Sequence, residues 1–242
     1  MKNTDFFKFE NANDDFPFYN GKPSSITLMQ SIFVIIMSIV SIVIFDVAGD
    51  RLPSFIGPFI NIIIPLGSFM LVTKSGWTKL FRKIHLKDIK LIIIVLIFNL
   101  IATVIMGSLT SKFAGAGANP AAGFIQHNSL SENIIFYIKV IPMLLGEELI
   151  TIIPFLAILN ISTRYLKFSR KKGIIIAWIM SALIFGAIHL PTYDWNIVQA
   201  ILAISIVRLI LTYPYIKTKN IWVSCCLHVL NDWILFLPSL LM

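Results

Sequence analysis

Long aliphatic and aromatic stretches alternate with short basic segments along this chain. Seven apolar runs stand out, at about 26–45, 54–73, 91–109, 134–159, 173–190, 197–214 and 221–241. Each is long enough to cross a ~30 Å hydrocarbon core as a helix. Backbone in lipid must satisfy its own hydrogen bonds, and the two-residue alternation of a barrel strand is absent, so the runs predict helices. Pro58 and Pro65 predict a kink in the second run. The expected fold is all-α, a polytopic membrane bundle of about seven transmembrane helices.

Composition narrows the class. Hydrophobic residues make up 57% of the 242 residues, charged residues 13%, and mean hydropathy is +0.85. An average soluble domain is roughly 25% charged. A chain this poor in charge does not cover a water-facing surface, which argues against a soluble enzyme, a secreted disulfide scaffold and a disordered protein. The only two cysteines, Cys225 and Cys226, are adjacent in an apolar run and make no disulfide framework.

The net charge of +8 is read by its location. Segments 74–90, 161–172 and 215–220 carry six, five and two Lys/Arg, whereas the loops between them hold only Arg51 and Lys112. An alternating path puts all three basic loops on one side, which the positive-inside rule makes cytoplasmic. The amino terminus is then expected inside and the carboxyl terminus outside, in a multi-pass protein of the cell membrane. No basic face with interleaved aromatics exists outside those loops, so no nucleic-acid partner is expected. Residues 1–25 read as a polar cytoplasmic tail, and 26–242 as a single transmembrane domain. The first apolar run is too long for a signal-peptide core and reads as a retained anchor. Loop 110–132, with AGAGANPAAG at 114–123, predicts a mobile outer segment, a connector or a lid.

Polar residues inside the spans carry the functional signal. Glu147 and Glu148 lie in the fourth, His189 ends the fifth, Arg208 lies in the sixth, and His228 and Asp232 lie in the seventh. Three acids alone imply on the order of 7–10 kcal/mol of insertion cost before pairing. His228 and Asp232, four apart, share one helix face, as do Phe185 and His189. Adjacent Glu147 and Glu148 point about 100° apart, so one is placed to reach a water while the other braces a neighbouring helix. Pro154 frees backbone groups nearby. Two His and two or three carboxylates on separate helices make a divalent-metal site or a general-base site, parts that suit amide hydrolysis inside the bilayer. The same inventory also suits a non-catalytic scaffold or immunity protein, or a small proton-coupled transporter. No internal repeat supports the transporter. Arg208 reads as a structural ion pair, Cys225 as packed core and Lys139 as a snorkelling residue. His85 and His127 lie in loops and take no role.

Three motifs then coincide: EEL at 147–149, FGAIH at 185–189 and HVLND at 228–232. In order and approximate spacing, over about 135–236, they resemble the CPBP family, the CAAX-protease and bacteriocin-processing intramembrane proteases also called the Abi family. The resemblance implies an intramembrane endopeptidase of glutamate or metallo type acting on a peptide or membrane-protein substrate, with roles that include peptide processing, prenyl-protein processing and bacteriocin self-immunity. It implies Glu147 as the water-activating base assisted by His189, Glu148 as companion carboxylate in a supporting role, and His228 with Asp232 binding the oxyanion or otherwise taking part in the site. If a divalent metal such as zinc is used, the implied ligands are Glu147, His189 and His228. The chain departs from the pattern where the first motif continues Glu-Glu-x-x-x-Arg, since Ile152 and Ile153 stand where Arg would. Arg208 is the candidate to replace it in space. Depth is a strain on this picture: at ~1.5 Å per residue, His189 lies ~24 Å from the inner end of its span and His228 only ~10 Å from the inner end of its own.

Overall fold

The computed structural model describes residues 7–240 apart from 12, 13, 20, 49, 50, 52–55 and 118. Residues 1–6 of the expected tail, the first two of the second expected span (54–55) and residue 241 of the seventh therefore lie outside the described residues. Eight α-helices are present among the described residues: α1 Leu28–Ala48, α2 Gly57–Thr73, α3 Leu86–Ala114, α4 Pro120–His127, α5 Leu130–Asn160, α6 Arg170–Ile188, α7 Ser205–Thr218 and α8 Ile221–Leu240. A wide-turn stretch, Val198–Ile204, leads into α7. Among the described residues, seven segments are long and apolar enough to span a membrane, from Leu28–Val47 to Ile221–Leu240. The expected all-α multi-pass bundle is what the chain forms.

The helix ends follow local chemistry that hydropathy alone underestimates. α3 starts at Leu86, five residues before the apolar run, because Asp88 accepts from the His85 backbone N–H at 2.8 Å and caps the helix. α5 starts at Leu130 behind a capping box in which Ser129 and Glu132 serve each other's backbone N–H. α2 carries Pro58 in its first turn and continues through Pro65, and α5 continues through Pro142 and Pro154. The expected outer loop is partly ordered: α4 interrupts it, and Ile125 packs with Val140, Leu144, Val229 and Phe236. Gly117 is joined to Gln199 by two hydrogen bonds of 2.8 and 2.9 Å.

α5 is the axis. It touches α1, α2, α6, α7 and α8, and every residue from Glu148 to Ala157 is buried. A helix apolar on all sides is one surrounded by other helices. α3, by contrast, buries only Asp88, Ile92, Val95, Asn99 and Thr110 along its length.

The described part of the polar tail is docked onto the bundle rather than standing off from it. Phe7, Phe16 and Phe18 join the core with Phe69, Phe155 and Tyr215. Glu10 accepts from Arg170 at 2.7 and 2.9 Å and meets Lys219 Nζ at 3.1 Å, while Asp15 accepts from Arg170 at 2.6 Å. The Arg170 guanidinium also lies 4.5 Å from the Tyr19 ring. Arg82 pairs with Asp14 at 3.1 Å, and Asn220 accepts from the Arg82 N–H and donates to the Arg82 carbonyl. The tail and the three basic loops thus share one face of the bundle.

Burial of Glu10 works against its charge, but the hydrogen bonds from Arg170 and the Phe7 N–H and the charges of Lys219 and Arg170 hold its carboxyl below the ordinary glutamate value. A depressed carboxylate stabilises the fold above its unfolded titration range, and that contribution is lost as pH falls through the folded value. Arg170→Ala is expected to lower the melting temperature in detergent, through a loss on the order of 3–5 kcal/mol for a broken buried pair. Glu10→Gln is expected to flatten the acid side of the melting-temperature profile, followed by tryptophan fluorescence. An unchanged acid limb would refute the clasp.

Candidate active site

The two adjacent glutamates leave α5 in different directions. Glu148 turns inward and is fully buried, and its Oε1 accepts from Arg208 Nη2 at 2.6 Å and lies 3.0 Å from His228 Nδ1. Arg208 is itself fully buried, with its guanidinium 4.5 Å from the Phe185 ring. Arg208 Nη1 also stands 3.3 Å from His228 Nδ1. A guanidinium only donates, so His228 Nδ1 has a donor and an acceptor competing for it. The shorter contact goes to a carboxylate, so we assign the proton to Nδ1, donating to Glu148, with the Arg208 nitrogen lying alongside.

Glu147 faces a cavity instead, with 18% of its side chain exposed. Its Oε2 is 3.8 Å from His228 Nε2, and Asp232 Oδ1, one turn along α8, is also 3.8 Å from that nitrogen. The cavity measures about 500 Å³, and Glu147, His189, Arg208, His228 and Asp232 all line it.

His189 caps α6. Its Nδ1 lies 2.7 Å from the Phe185 carbonyl, an atom that only accepts, so Nδ1 carries a proton and in the neutral ring Nε2 has the lone pair. Among the described residues no carboxylate lies within 4 Å of His189. The depth difference between the two histidines is therefore spanned by a shared cavity and not by direct contact. Nor do Glu147, His189 and His228 converge on one coordination sphere. Among the described residues, no three His, Cys, Asp or Glu side chains are arranged to hold a metal ion.

Small residues let these helices close. A Cβ on Gly186 would overlap the Ala200 carbonyl and the Ser205 hydroxyl, where α6 meets the stretch leading into α7. A Cβ on Gly146 would fall 2.7 Å from Asn61 Cβ on α2, one residue before Glu147. Both glycines are backbone contacts between helices that any side chain would hold apart.

Residues 129–234 match the family model described as type II CAAX prenyl endopeptidase Rce1-like. This stretch, less than half of the chain, is similar to that family. The matched segment contains Glu147, Glu148, His189, Arg208, His228 and Asp232. Searches of the curated proteins and of the solved structures returned no match.

Several residues here escaped the reading of polar groups within spans. Asn99 of α3 donates to Asn231 Oδ1 at 2.9 Å, and Asn231 donates to Asp232 Oδ1 at 3.0 Å. Asn99 is a lone amide inside an apolar run, a signal of the same kind as the acids. Tyr193, in the turn after α6, also lines the cavity. Burial pushes its phenol up and the Glu147 and Asp232 charges push it further, so it keeps its proton as a donor. Asp46 and Asn61 bring α1 and α2 to the same wall. Cys225 is packed core beside Val229 and Leu144.

Gly186→Ala is expected to lower the melting temperature through a loss of about 1–3 kcal/mol from overpacking. Gly67→Ala on α2, where the added carbon meets nothing within 4 Å, is expected to leave it unchanged or raise it. Equal behaviour of the two variants would contradict the close approach of α6 to α7.

Proposed function

We propose that the chain is an intramembrane endopeptidase that cleaves a peptide bond in a peptide or membrane-protein substrate with water activated by Glu147. The observation that carries this reading is the pair of adjacent carboxylates with divided environments. One is locked in a buried ion pair behind His228, and the other stands at the cavity 3.8 Å from that imidazole's far nitrogen.

The steps follow from those positions. Water sits between Glu147 and the free Nε2 lone pair of His189. Glu147 takes one proton as the water oxygen attacks the carbonyl carbon. His228, protonated on both nitrogens, donates Nδ1–H to Glu148 and offers Nε2–H to the developing oxyanion. Asp232 stabilises that imidazolium. Glu147 then passes its proton to the leaving nitrogen, the C–N bond breaks, and a carboxylic acid and an amine form, the acid's remaining proton passing to the amine as the two products leave as carboxylate and ammonium. Arg208 braces Glu148 through their ion pair, in place of the arginine missing from the first motif. Among the described residues no three His, Cys, Asp or Glu side chains are arranged around a metal, and these steps use the side chains alone.

The positive-inside pattern supports a cytoplasmic basic face, with the docked tail there and His189 toward the opposite end. The substrate would then meet Glu147 between the two membrane surfaces.

The test is mass spectrometry of candidate membrane peptides incubated with purified wild type and with Glu147→Gln. Wild type is expected to produce two fragments whose masses sum to the substrate plus one water, and Glu147→Gln none, with insertion and melting temperature retained. Arg208→Ala is expected to abolish cleavage and Arg208→Lys to retain part of it. Cleavage by Glu147→Gln at the wild-type rate overturns the general base. Intact peptides with both proteins point to a scaffold, and flux without a mass change in proteoliposomes points to a transporter.

A further inference from the structure

We propose that Asn99, on a helix outside the family-matched segment, is a positioning residue for Asp232 and acts through Asn231. The inference rests on the endopeptidase reading and extends the working site into the N-terminal half of the chain.

The stripe that α3 turns inward changes character along its length. Ile92 and Val95 pack against Leu211, Val223 and Leu227, whereas Thr103, Met106, Gly107 and Thr110 line the cavity. Asn99 sits where packing gives way to cavity wall, and none of its surface is exposed. It donates to Asn231 Oδ1 at 2.9 Å, which fixes the Asn231 amide with its oxygen toward α3. The Asn231 nitrogen is thereby directed at Asp232 Oδ1, 3.0 Å away. Reversing that amide would set an oxygen against the carboxylate. One donor on α3 thus decides which end of Asn231 meets the acid that flanks His228 Nε2.

Two buried asparagines on neighbouring helices often do no more than hold the helices together. A purely cohesive pair would exchange two hydrogen bonds. Here a single one forms, and among the described residues Asn99 Oδ1 has no partner. Leaving a buried acceptor unpaired is a cost that reciprocal pairing would avoid. The Asn231 nitrogen is committed to Asp232 instead, which makes the acid's orientation the product of the arrangement.

The experiment uses the full chain in detergent and the membrane peptide whose mass changes between wild type and Glu147→Gln. Asn99→Leu, Asn231→Leu and the double variant are compared for kcat, KM and melting temperature. Each single variant is expected to lower kcat about 10- to 100-fold, the scale of a misplaced catalytic group, with KM unchanged. The double variant is expected to match the singles, because breaking either link releases the same carboxylate. Multiplying losses, a change confined to KM, or full activity in Asn99→Leu overturns the inference. If the leucine variants fail to fold, Asn99→Asp is decisive. It keeps the side-chain shape, removes the donor and turns the Asn231 oxygen toward Asp232. A similar loss of kcat supports the inference and wild-type kcat overturns it. Absence of any cleavage by the wild type overturns the endopeptidase reading itself, and this inference with it.

Discussion

A guanidinium with no exposed surface lies among helices that cross a membrane, and its immediate partner is a carboxylate equally hidden. Each of these charges costs roughly 2.5–3.5 kcal/mol at a helix centre when unpaired. The cost is offset only if α5, α7 and α8 dock so that Arg208, Glu148 and His228 meet. The pair therefore acts as a constraint on the packing. Its energetic weight lies less in added stability than in the penalty for separating the partners, since a stranded buried charge costs more than the pair gains. With Glu148 held by Arg208, the Nδ1 side of His228 is occupied and only Nε2 faces the cavity.

Adjacency of the two glutamates divides buried charge from reactive charge. Neighbours on a helix diverge by about 100°, so Glu148 entering the core obliges Glu147 to point elsewhere. Elsewhere is the cavity, because α2 approaches α5 over Gly146 and α6 approaches the start of α7 over Gly186. At the other end of the bundle the tail clasp of Glu10, Asp15, Arg170 and Lys219 joins α6 to the turn before α8. The helices that carry the site are thus fixed at both ends, and the polar space is left between them.

Much of this was legible in the sequence, for a physical reason. Lipid admits few solutions, so apolar runs near 20 residues foretell helices, and acids within them foretell partners. What escaped has equally specific causes. The true start of α3 lies among Leu86, Lys87, Asp88 and Lys90, a stretch whose charge looks like loop but whose acid is a cap. α4 is eight residues rich in alanine and glycine, too short to carry a hydrophobic signature. Counting residues from a span end put the two histidines at different depths. That count measures distance along each helix and says nothing of a cavity extending between them. Asn99 was visible as an anomaly, but the partner that gives it meaning lies 132 residues away. Arg208, named from the sequence as the candidate for the arginine absent at Ile152, is paired with Glu148 from α7.

The wall of the cavity draws on residues both inside and outside the family-matched segment. Glu147, His189, His228 and Asp232 come from the family-matched segment. Ile42, Phe45, Asn61 and Met106 come from helices outside it. On the proposed reading the reacting bond is held by the first set, and the flanking residues of the peptide meet the second. A hydrolytic site within lipid needs water and a polar backbone at its centre and an apolar approach at its rim. Asn99 stands on the boundary between those regimes, between Val95 packed in the core and Thr103 at the cavity. Hydrogen bonding at that boundary ties the cavity wall to its apolar support. An asparagine there is consequently a structural requirement of placing ionisable chemistry beside an apolar helix, and the direction of its amide is what passes that requirement on to Asp232.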